Sequence, residues 1–307
     1  MPVITCAGVW LGNVDVETRT PEGQPVDRWV EARGLKLHVR QWDGRRTPFV
    51  LLHGLASNGR TWEAVARRLA AAGHAVVAAD QRGHGLSDKP ESGYGFDDVR
   101  SDLLALLEGL NLGERPILAG QSWGGHVVLD FAARYPDVPR GIVLVDGGYA
   151  QMSARPGATW ERISVELRPP NLIGTPRADL AARIRRMHPA WTDDGIEATL
   201  ANFETMPDGT VRPWLTLDHH MAILRALWEH PTTSLFPLVR APALLVPADS
   251  GDAERVAAKR EAVDRAATSL ARCRVHWFED TAHDIHVERP EDLADTMLAA
   301  LGDGFFG

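Results

Sequence analysis

The fold of this chain can be inferred from ten of its residues, 117–126, which read ILAGQSWGGH. A short apolar strand is predicted over residues 116–119 and a helix over residues 126–134. The pattern Gly-x-Ser-x-Gly lies between them, with Ser122 at its centre. A serine on a tight turn from strand to helix has its hydroxyl raised above the sheet, and the first N–H groups of the helix can bind a developing oxyanion. The stretch therefore predicts a nucleophilic serine at one edge of a sheet.

Short apolar segments alternate with helical patterns on both sides of this turn. Further strands are predicted over residues 49–52, 75–79, 141–145, 243–246 and 274–278, after a hairpin that pairs 29–32 with 35–42. Further helices are predicted over residues 62–72, 103–110, 253–267 and 291–301. Such alternation is typical of a parallel sheet covered by helices on both faces. We therefore predict the α/β class, with a mostly parallel central sheet flanked by helices.

The alternation stops over residues 150–235, where helical patterns and prolines occur without a strong strand pattern. We predict one domain whose core comprises residues 1–149 and 236–307, with residues 150–235 as a helical insert after the sixth strand. Within the first part, we predict that residues 1–27 form an irregular segment, or lead-in, before the first strand. The insert holds four of the ten Trp and four of the six Met. We interpret most of these side chains as the core of the insert, and one or two as an apolar roof over the site.

A serine hydroxyl needs a base to become a nucleophile, and that base must be oriented by an acid. His283 is the predicted base, because it follows the last predicted strand and precedes the final helix. In a parallel sheet this loop lies at the carboxyl ends of the strands, the same edge as Ser122. His286 is the alternative three residues later.

The acid is predicted in the loop after the strand over residues 243–246, which reads PADSGD over residues 247–252. We prefer Asp252 and keep Asp249 as the alternative acid. Either carboxylate has a structural interpretation as well, since Asp252 could cap the next helix and Asp249 could form the turn. Asp146, at the end of the preceding strand, is the third candidate.

Four motifs together resemble the α/β-hydrolase family. Gly120 to Gly124 resembles the nucleophile elbow of that family. The other three motifs are LLHGL at residues 51–55, DQRGHGLSD at residues 80–88, and the run from His283 to Glu288 and Pro290. They resemble the oxyanion loop, the loop after the fourth strand and the catalytic-histidine segment of the family. The order serine, aspartate, histidine along the chain also fits.

The resemblance implies Ser122 as nucleophile, His283 rather than His286 as base, and the backbone N–H groups of Leu55 and Trp123 as the oxyanion hole. It also implies that the insert is a cap over the active site. His53 is expected to be a structural hydrogen-bonding residue. Haloalkane dehalogenases and epoxide hydrolases of the family have Asp at the elbow, so a serine there argues against both activities.

Two departures from the family pattern concern the acid and the base. Ala248 stands where many relatives have Gly before the acid, and Asp252 fits only a longer turn. Ala282 replaces a common Gly before His283.

Composition excludes several other classes of function. The net charge of −8 is spread along the chain without basic or acidic blocks, so we expect no nucleic-acid and no membrane partner. The N-terminus lacks the basic residues of a signal peptide, and a soluble, cytoplasmic protein is expected. Cys6 and Cys273 form no redox or zinc motif, and no P-loop or His-rich metal motif occurs. We expect no cofactor.

The sequence therefore predicts a serine hydrolase that cleaves a small, mostly apolar carboxylic ester through an acyl-enzyme. A lactonase or a carbon–carbon bond hydrolase of the same fold remains an alternative. A small-molecule receptor on this fold, with little or no turnover, is the alternative of another class. The acyl and alcohol groups depend on the geometry of the insert, and a homo-oligomer remains open.

Overall fold

The computed structural model describes residues 23–155 and 157–307. Three expectations concern the first 22 residues, which lie outside the described residues. They are most of the irregular lead-in, the absence of a signal peptide and the role of Cys6. The strands of the described part are β1 (Val26–Ala32), β2 (Leu35–Trp42), β3 (Arg46–Leu52), β4 (His74–Ala79), β5 (Ile117–Gln121), β6 (Gly141–Val145), β7 (Thr175–Pro176), β8 (Phe203–Thr205), β9 (Thr210–Pro213), β10 (Ala243–Val246) and β11 (Cys273–Val275).

The α-helices of the described part follow the predicted pattern in both the core and the insert. They are α1 (Glu63–Ala71), α2 (Phe96–Leu110), α3 (Trp123–Arg134), α4 (Trp160–Glu166), α5 (Arg177–Met187), α6 (Asp193–Leu200), α7 (Leu217–Glu229), α8 (Thr232–Leu235), α9 (Ala253–Ser269), α10 (Ile285–Glu288) and α11 (Pro290–Gly302). Of these, α10 of the core is a short helix that was not predicted.

Eight of the described strands form one sheet in the order β1-β2-β4-β3-β5-β6-β10-β11. The strands β1, β2 and β4 pair antiparallel with one another in that order, and every later pair of neighbours is parallel. The predicted α/β fold with a mostly parallel central sheet is therefore confirmed. Because β3, β5, β6 and β10 run in parallel, their carboxyl ends lie along one edge of the sheet.

The central strands are buried on both faces, which explains why they are apolar at successive positions. Alternate residues of one strand belong to different apolar clusters: Val50 and Leu52 face one side, whereas Phe49 and Leu51 face the other. Side chains of α2, α3 and α9 complete the first cluster. Side chains of α1 and α11 complete the second. The sheet is thus a layer between two sets of helices, as the period-2 geometry of a strand requires.

The insert differs from the purely helical segment that was predicted. Besides α4 to α8 it contains a three-stranded sheet in the order β7-β9-β8, whose neighbours pair antiparallel. These strands have two to four residues, which is too short for an alternating pattern to be recognised in the sequence. The domain limits at residues 149 and 236 stay a prediction.

Two apolar clusters contain side chains from both the insert and the core. Ile223 and Leu224 of α7 belong to the same cluster as Trp123 at the start of α3. In the opposite direction, Val287 of α10 packs in the cluster formed by α5 and α6 of the insert, with Trp191. The insert therefore lies against the sheet edge that carries Ser122.

Within residues 23–155 and 157–307, no helix combines the length and the apolar character that crossing a membrane requires.

Candidate active site

Ser122 lies on the turn between β5 and α3, as its Gly-x-Ser-x-Gly motif predicts. Its backbone has φ 53° and ψ −117°, a conformation that an L-residue rarely adopts. The turn is tight enough that a Cβ on Gly120 would lie 2.2 Å from the carbonyl oxygen of Gly124. Only glycine fits at this point, and the contact between strand and helix holds Ser122 in its strained conformation.

Two hydrogen bonds connect this turn to its neighbours along the sheet edge. The N–H of Ser122 donates to the carbonyl oxygen of Val145, the last residue of β6, at 2.9 Å. The side-chain Nε2 of Gln121 donates to the carbonyl oxygen of His283 at 3.3 Å. The serine, the end of β6 and the predicted histidine segment therefore meet at one place, as the sheet topology requires.

The partner of the imidazole is Asp146, which corrects the preference for Asp252. His283 Nδ1 lies 2.6 Å from Asp146 Oδ2. Asp252 is an exposed residue directly before α9, and its carbonyl oxygen accepts the N–H of Val256. Asp249, the alternative acid, instead directs its carboxylate to the Gly251 N–H and the Arg260 guanidinium, each at 3.0 Å.

The physical reason for this correction is the backbone at the end of β6. Asp146 directly follows the strand with φ 43°, a left-handed conformation, and its side chain is only 3% exposed. In the loop after β10, Ala248 faces this carboxylate through its backbone, because its N–H donates to Asp146 Oδ1 at 3.0 Å. The residue that carries the carboxylate thus directly follows β6, whereas the loop after β10 contributes only a backbone N–H donor to it.

Two further groups bind the Asp146 carboxylate. The Tyr149 hydroxyl donates to Oδ1 at 2.6 Å, and Lys259 Nζ lies 2.7 Å from Oδ1 and 3.0 Å from Oδ2. Burial opposes ionisation, but His283 and Lys259 outweigh it and hold the pKa of Asp146 below its ordinary value. Burial, together with this carboxylate, raises the pKa of Tyr149 well above 10, so its hydroxyl stays a donor.

Tyr149 and Lys259 were not identified in the sequence. Tyr149 follows Asp146 by three residues, but nothing in the pattern distinguishes it from a core aromatic. Lys259 lies in a helix rich in charged residues, where a lysine is usually solvated. The structure shows that both bind the Asp146 carboxylate.

When His283 is neutral, its hydrogen bond to Asp146 selects the tautomer that a general base needs. An ionised Asp146 can only accept hydrogen bonds, so the proton between them lies on Nδ1 and Nε2 keeps a lone pair. Partial burial acts to lower the pKa of His283, but the hydrogen bond and charge of Asp146 and the charge of Asp284 raise it above 6.5. The His283 side chain remains 53% exposed, so it is open to a substrate.

His286 has a different environment from His283. It is fully buried against the ring of Trp62, at a centroid distance of 4.7 Å. Burial lowers the pKa of His286 to about 4. Its ring is a packing group behind the site.

Glu288 explains a further part of the histidine motif. Its carboxylate accepts the N–H of Ala282 at 3.3 Å, and this closes the loop that presents His283.

The predicted oxyanion loop lies against the serine turn. A Cβ on Gly54 would lie 3.2 Å from the Cβ of Ser122. In the loop, the N–H of Ala56 donates to His84 Nε2 at 3.2 Å, and the N–H of Ser57 donates to the carbonyl oxygen of Gly54 at 3.3 Å. Among the described residues the N–H of Leu55 has no acceptor, so it is available to bind a developing oxyanion.

Trp123 supplies the second N–H of the predicted hole, and it too has no acceptor within residues 23–155 and 157–307. The ring of His84 stacks on the Trp123 indole at a centroid distance of 5.4 Å. Burial lowers the pKa of His84 well below 6.5, so its Nε2 is a neutral acceptor. His53 is, as expected, a scaffold residue: its Nε2 accepts the N–H of Gln81, and its Nδ1 lies 2.7 Å from the carbonyl oxygen of Gly54.

The four tryptophans of the insert lie in different environments. Trp191 is buried in the insert's own core, whereas Trp160 and Trp228 are half-buried against the large core, with their rings 6.4 Å apart. Trp214 lies under the ammonium group of Lys89 at 4.8 Å. The structure thus places one of the four in the cluster formed by α5 and α6.

Comparisons with known proteins agree with this architecture. The sequence model described as "Alpha/beta hydrolase family" matches residues 49–296. The 2-(acetamidomethylene)succinate hydrolase of Mesorhizobium japonicum is 38% identical over 121 residues, which are 39% of this chain and 42% of that protein. The AB hydrolase superfamily protein YfhM of Bacillus subtilis is 34% identical over 122 residues, again 42% of its length. The chain therefore matches about two fifths of the length of these curated relatives.

Solved structures are similar over nearly the whole chain. The structure of E-2-(acetamidomethylene)succinate hydrolase has a TM-score of 0.76 and 24% identity, and the match covers 91% of this chain and 99% of that one. The enol-lactonase of Burkholderia xenovorans LB400 has a TM-score of 0.66 and 21% identity, with 90% and 100% of the two chains covered. At these identities the likeness shows the fold alone.

Gly120→Ala tests the close contact that forms the serine turn. Because the new Cβ would lie 2.2 Å from a backbone oxygen of α3, we expect the free energy of unfolding to fall by about 3 kcal/mol in urea titrations. Gly302→Ala at the end of α11 is the matched control, since its Cβ has no neighbour within 4 Å. It should keep the stability or gain up to about 1 kcal/mol. Equal losses in both variants would contradict the packing explanation.

Proposed function

Because the chain belongs to the alpha/beta hydrolase family, we propose that it is a serine hydrolase with Ser122 as nucleophile, His283 as base and Asp146 as acid. The observation that carries the proposal is the 2.6 Å hydrogen bond between His283 Nδ1 and Asp146 Oδ2. It joins a histidine from the loop before α10 to a buried carboxylate beside the serine turn. A nucleophile, a base and an orienting acid are the three parts that acyl transfer needs.

In the proposed reaction, His283 Nε2 removes the hydroxyl proton of Ser122 as Oγ attacks the carbonyl carbon of the substrate. The negative oxygen of the tetrahedral intermediate is bound by the N–H groups of Leu55 and Trp123. The intermediate then collapses to an acyl-enzyme, while the protonated His283 gives its proton to the leaving group. Water repeats the sequence and releases the acid.

A small carboxylic ester is the proposed substrate class, because an alkoxide leaving group needs only the proton that His283 supplies. Apolar side chains at the insert boundary, such as Ile223 and Leu224, support a mostly apolar substrate. The relatives favour a second candidate. One is named for hydrolysis of 2-(acetamidomethylene)succinate and another is an enol-lactonase, so a lactone or an activated carbonyl compound of that kind is the alternative substrate.

A receptor that binds a small molecule without turnover is the rival from another class. The strained backbone of Ser122 argues against it, and so do the N–H groups of Leu55 and Trp123, which have no acceptor among the described residues. A binding protein has no need of a nucleophile in a conformation that costs about 1 to 3 kcal/mol.

Ser122→Ala tests the nucleophile. We expect hydrolysis of short-chain nitrophenyl esters to fall by at least about 10³-fold, because the hydroxyl that forms the acyl-enzyme is lost. Ser101→Ala on α2, whose hydroxyl bonds only within its own helix, is the matched control and should keep the rate.

A parallel panel of lactones and 2-(acetamidomethylene)succinate identifies the preferred bond. Tight binding of a panel compound without turnover by the unaltered protein would favour the receptor.

Asp146→Asn tests the acid. The amide no longer stabilises the imidazolium or fixes its tautomer, so we expect kcat to fall by roughly 10³- to 10⁴-fold. Asp252→Asn and Asp249→Asn remove the carboxylates that the sequence favoured, and both should retain nearly full kcat. A severe loss in either of these, with Asp146→Asn active, would reverse the assignment.

The pH dependence of kcat/KM follows from the raised pKa of His283. Since only the neutral imidazole can accept the serine proton, the rate should fall as the pH decreases through that pKa. We expect the midpoint of this acid limb above pH 6.5. A midpoint near pH 4 would instead match His286 and would argue against His283 as the base.

A further inference from the structure

We propose that Lys259 is a positioning residue of this site: its ammonium group shares the Asp146 carboxylate with His283 and so extends to lower pH the range over which His283 is a neutral base. The inference rests on the proposed function, because it concerns the base of that reaction. Lys259 itself touches the acid and not the substrate.

The contacts of Lys259 fix its ammonium group in one place. Its Nζ lies 2.7 Å from Asp146 Oδ1, 3.0 Å from Asp146 Oδ2 and 2.7 Å from the carbonyl oxygen of Ala248. An ammonium group has three donors, and here three oxygens accept them. The side chain is 25% exposed, whereas that of Asp146 is 3% exposed. The cation is therefore held against the buried carboxylate and does not extend freely into solvent.

A permanent cation stabilises the buried Asp146 carboxylate while His283 is neutral. When His283 is neutral, as a base must be, it adds no positive charge beside Asp146. A buried carboxylate without a cation is costly, and that cost would favour protonation of the neighbouring imidazole. Lys259 supplies the compensating charge in the resting state. Its charge also acts directly on His283, in the direction that lowers the pKa of the imidazole.

Other groups also act on this pair, and they come from three segments. In the loop after β6, Tyr149 donates to Asp146. At α10, Asp284 acts to raise the pKa of His283, and the buried His286 lies close enough for the two rings to interact. On α9, Lys259 provides positive charge beside Asp146, and its effect on the pKa of His283 is opposite to that of Asp284. Removing the Lys259 charge shifts the protonation equilibrium of His283 towards the imidazolium form.

Lys259→Met tests the inference through the pH profile of Ser122 reactivity. The probe is the rate at which a fluorophosphonate labels Ser122, because labelling needs the serine and its base but no particular substrate bond. We expect the acid limb to move up by roughly one pH unit, which is about a tenfold slower rate on that limb. The rate on the alkaline plateau should stay close to that of the unaltered protein. Lys259→Arg, which keeps a cation, should restore most of the original limb.

Arg260→Met is the matched control, because it removes the neighbouring positive charge on α9. Arg260 pairs with Asp249 and Glu279 and lies over Trp277, so its loss should leave the limb in place. An unchanged limb in Lys259→Met would overturn the inference, and so would an equal loss of rate at every pH, which is the mark of a purely structural role. If Lys259→Met does not fold, Lys259→Gln provides the same comparison.

The outcome separates this inference from the proposed function. An unaltered protein that the fluorophosphonate does not label at Ser122 would reject the serine-hydrolase proposal, and the role of Lys259 with it. Normal labelling with an unshifted Lys259→Met limb would reject the role of Lys259 alone.

Discussion

The buried charge of Asp146 is the interaction on which the arrangement of the site depends. An ionised carboxylate loses its hydration on burial and must recover that energy from donors and cations. Asp146 does so with the imidazole of His283, the ammonium group of Lys259, the hydroxyl of Tyr149 and the backbone of Ala248. These partners come from the loops after β6 and β10, from α9 and from the segment before α10. One carboxylate thus connects four parts of the chain at the sheet edge where the serine turn lies.

Much of the fold could be predicted because its signals are local. The strands β6 and β10 begin and end where the apolar runs predict, and Ser122 has the glycine neighbours that its turn requires. The carboxylate that pairs with His283 could not be predicted in the same way. Asp146 and Asp252 both follow strands that end at the same sheet edge. The choice depends on which backbone turns its carboxylate inward, and the left-handed φ of Asp146 has no sequence pattern.

The other gaps in prediction have related physical causes. The strands β7, β8 and β9 of the insert have only two to four residues, so their pairing is decided by tertiary contacts and not by local pattern. Lys259 lies on a helix whose charged residues resemble those of any solvated face. Its role arises from a carboxylate 113 residues earlier in the chain, which no local pattern can reveal.

The packing of Val287 has a consequence for the segment that carries His283. This side chain lies four residues after His283, yet its apolar contacts are with α5 and α6 of the insert. The helix that follows the base is thus anchored to the element that lies against the serine edge. The segment that carries His283 is therefore packed against the insert on one side. A substitution that changes the size of an apolar side chain in α5 or α6 alters the surroundings of that segment as well as the insert core.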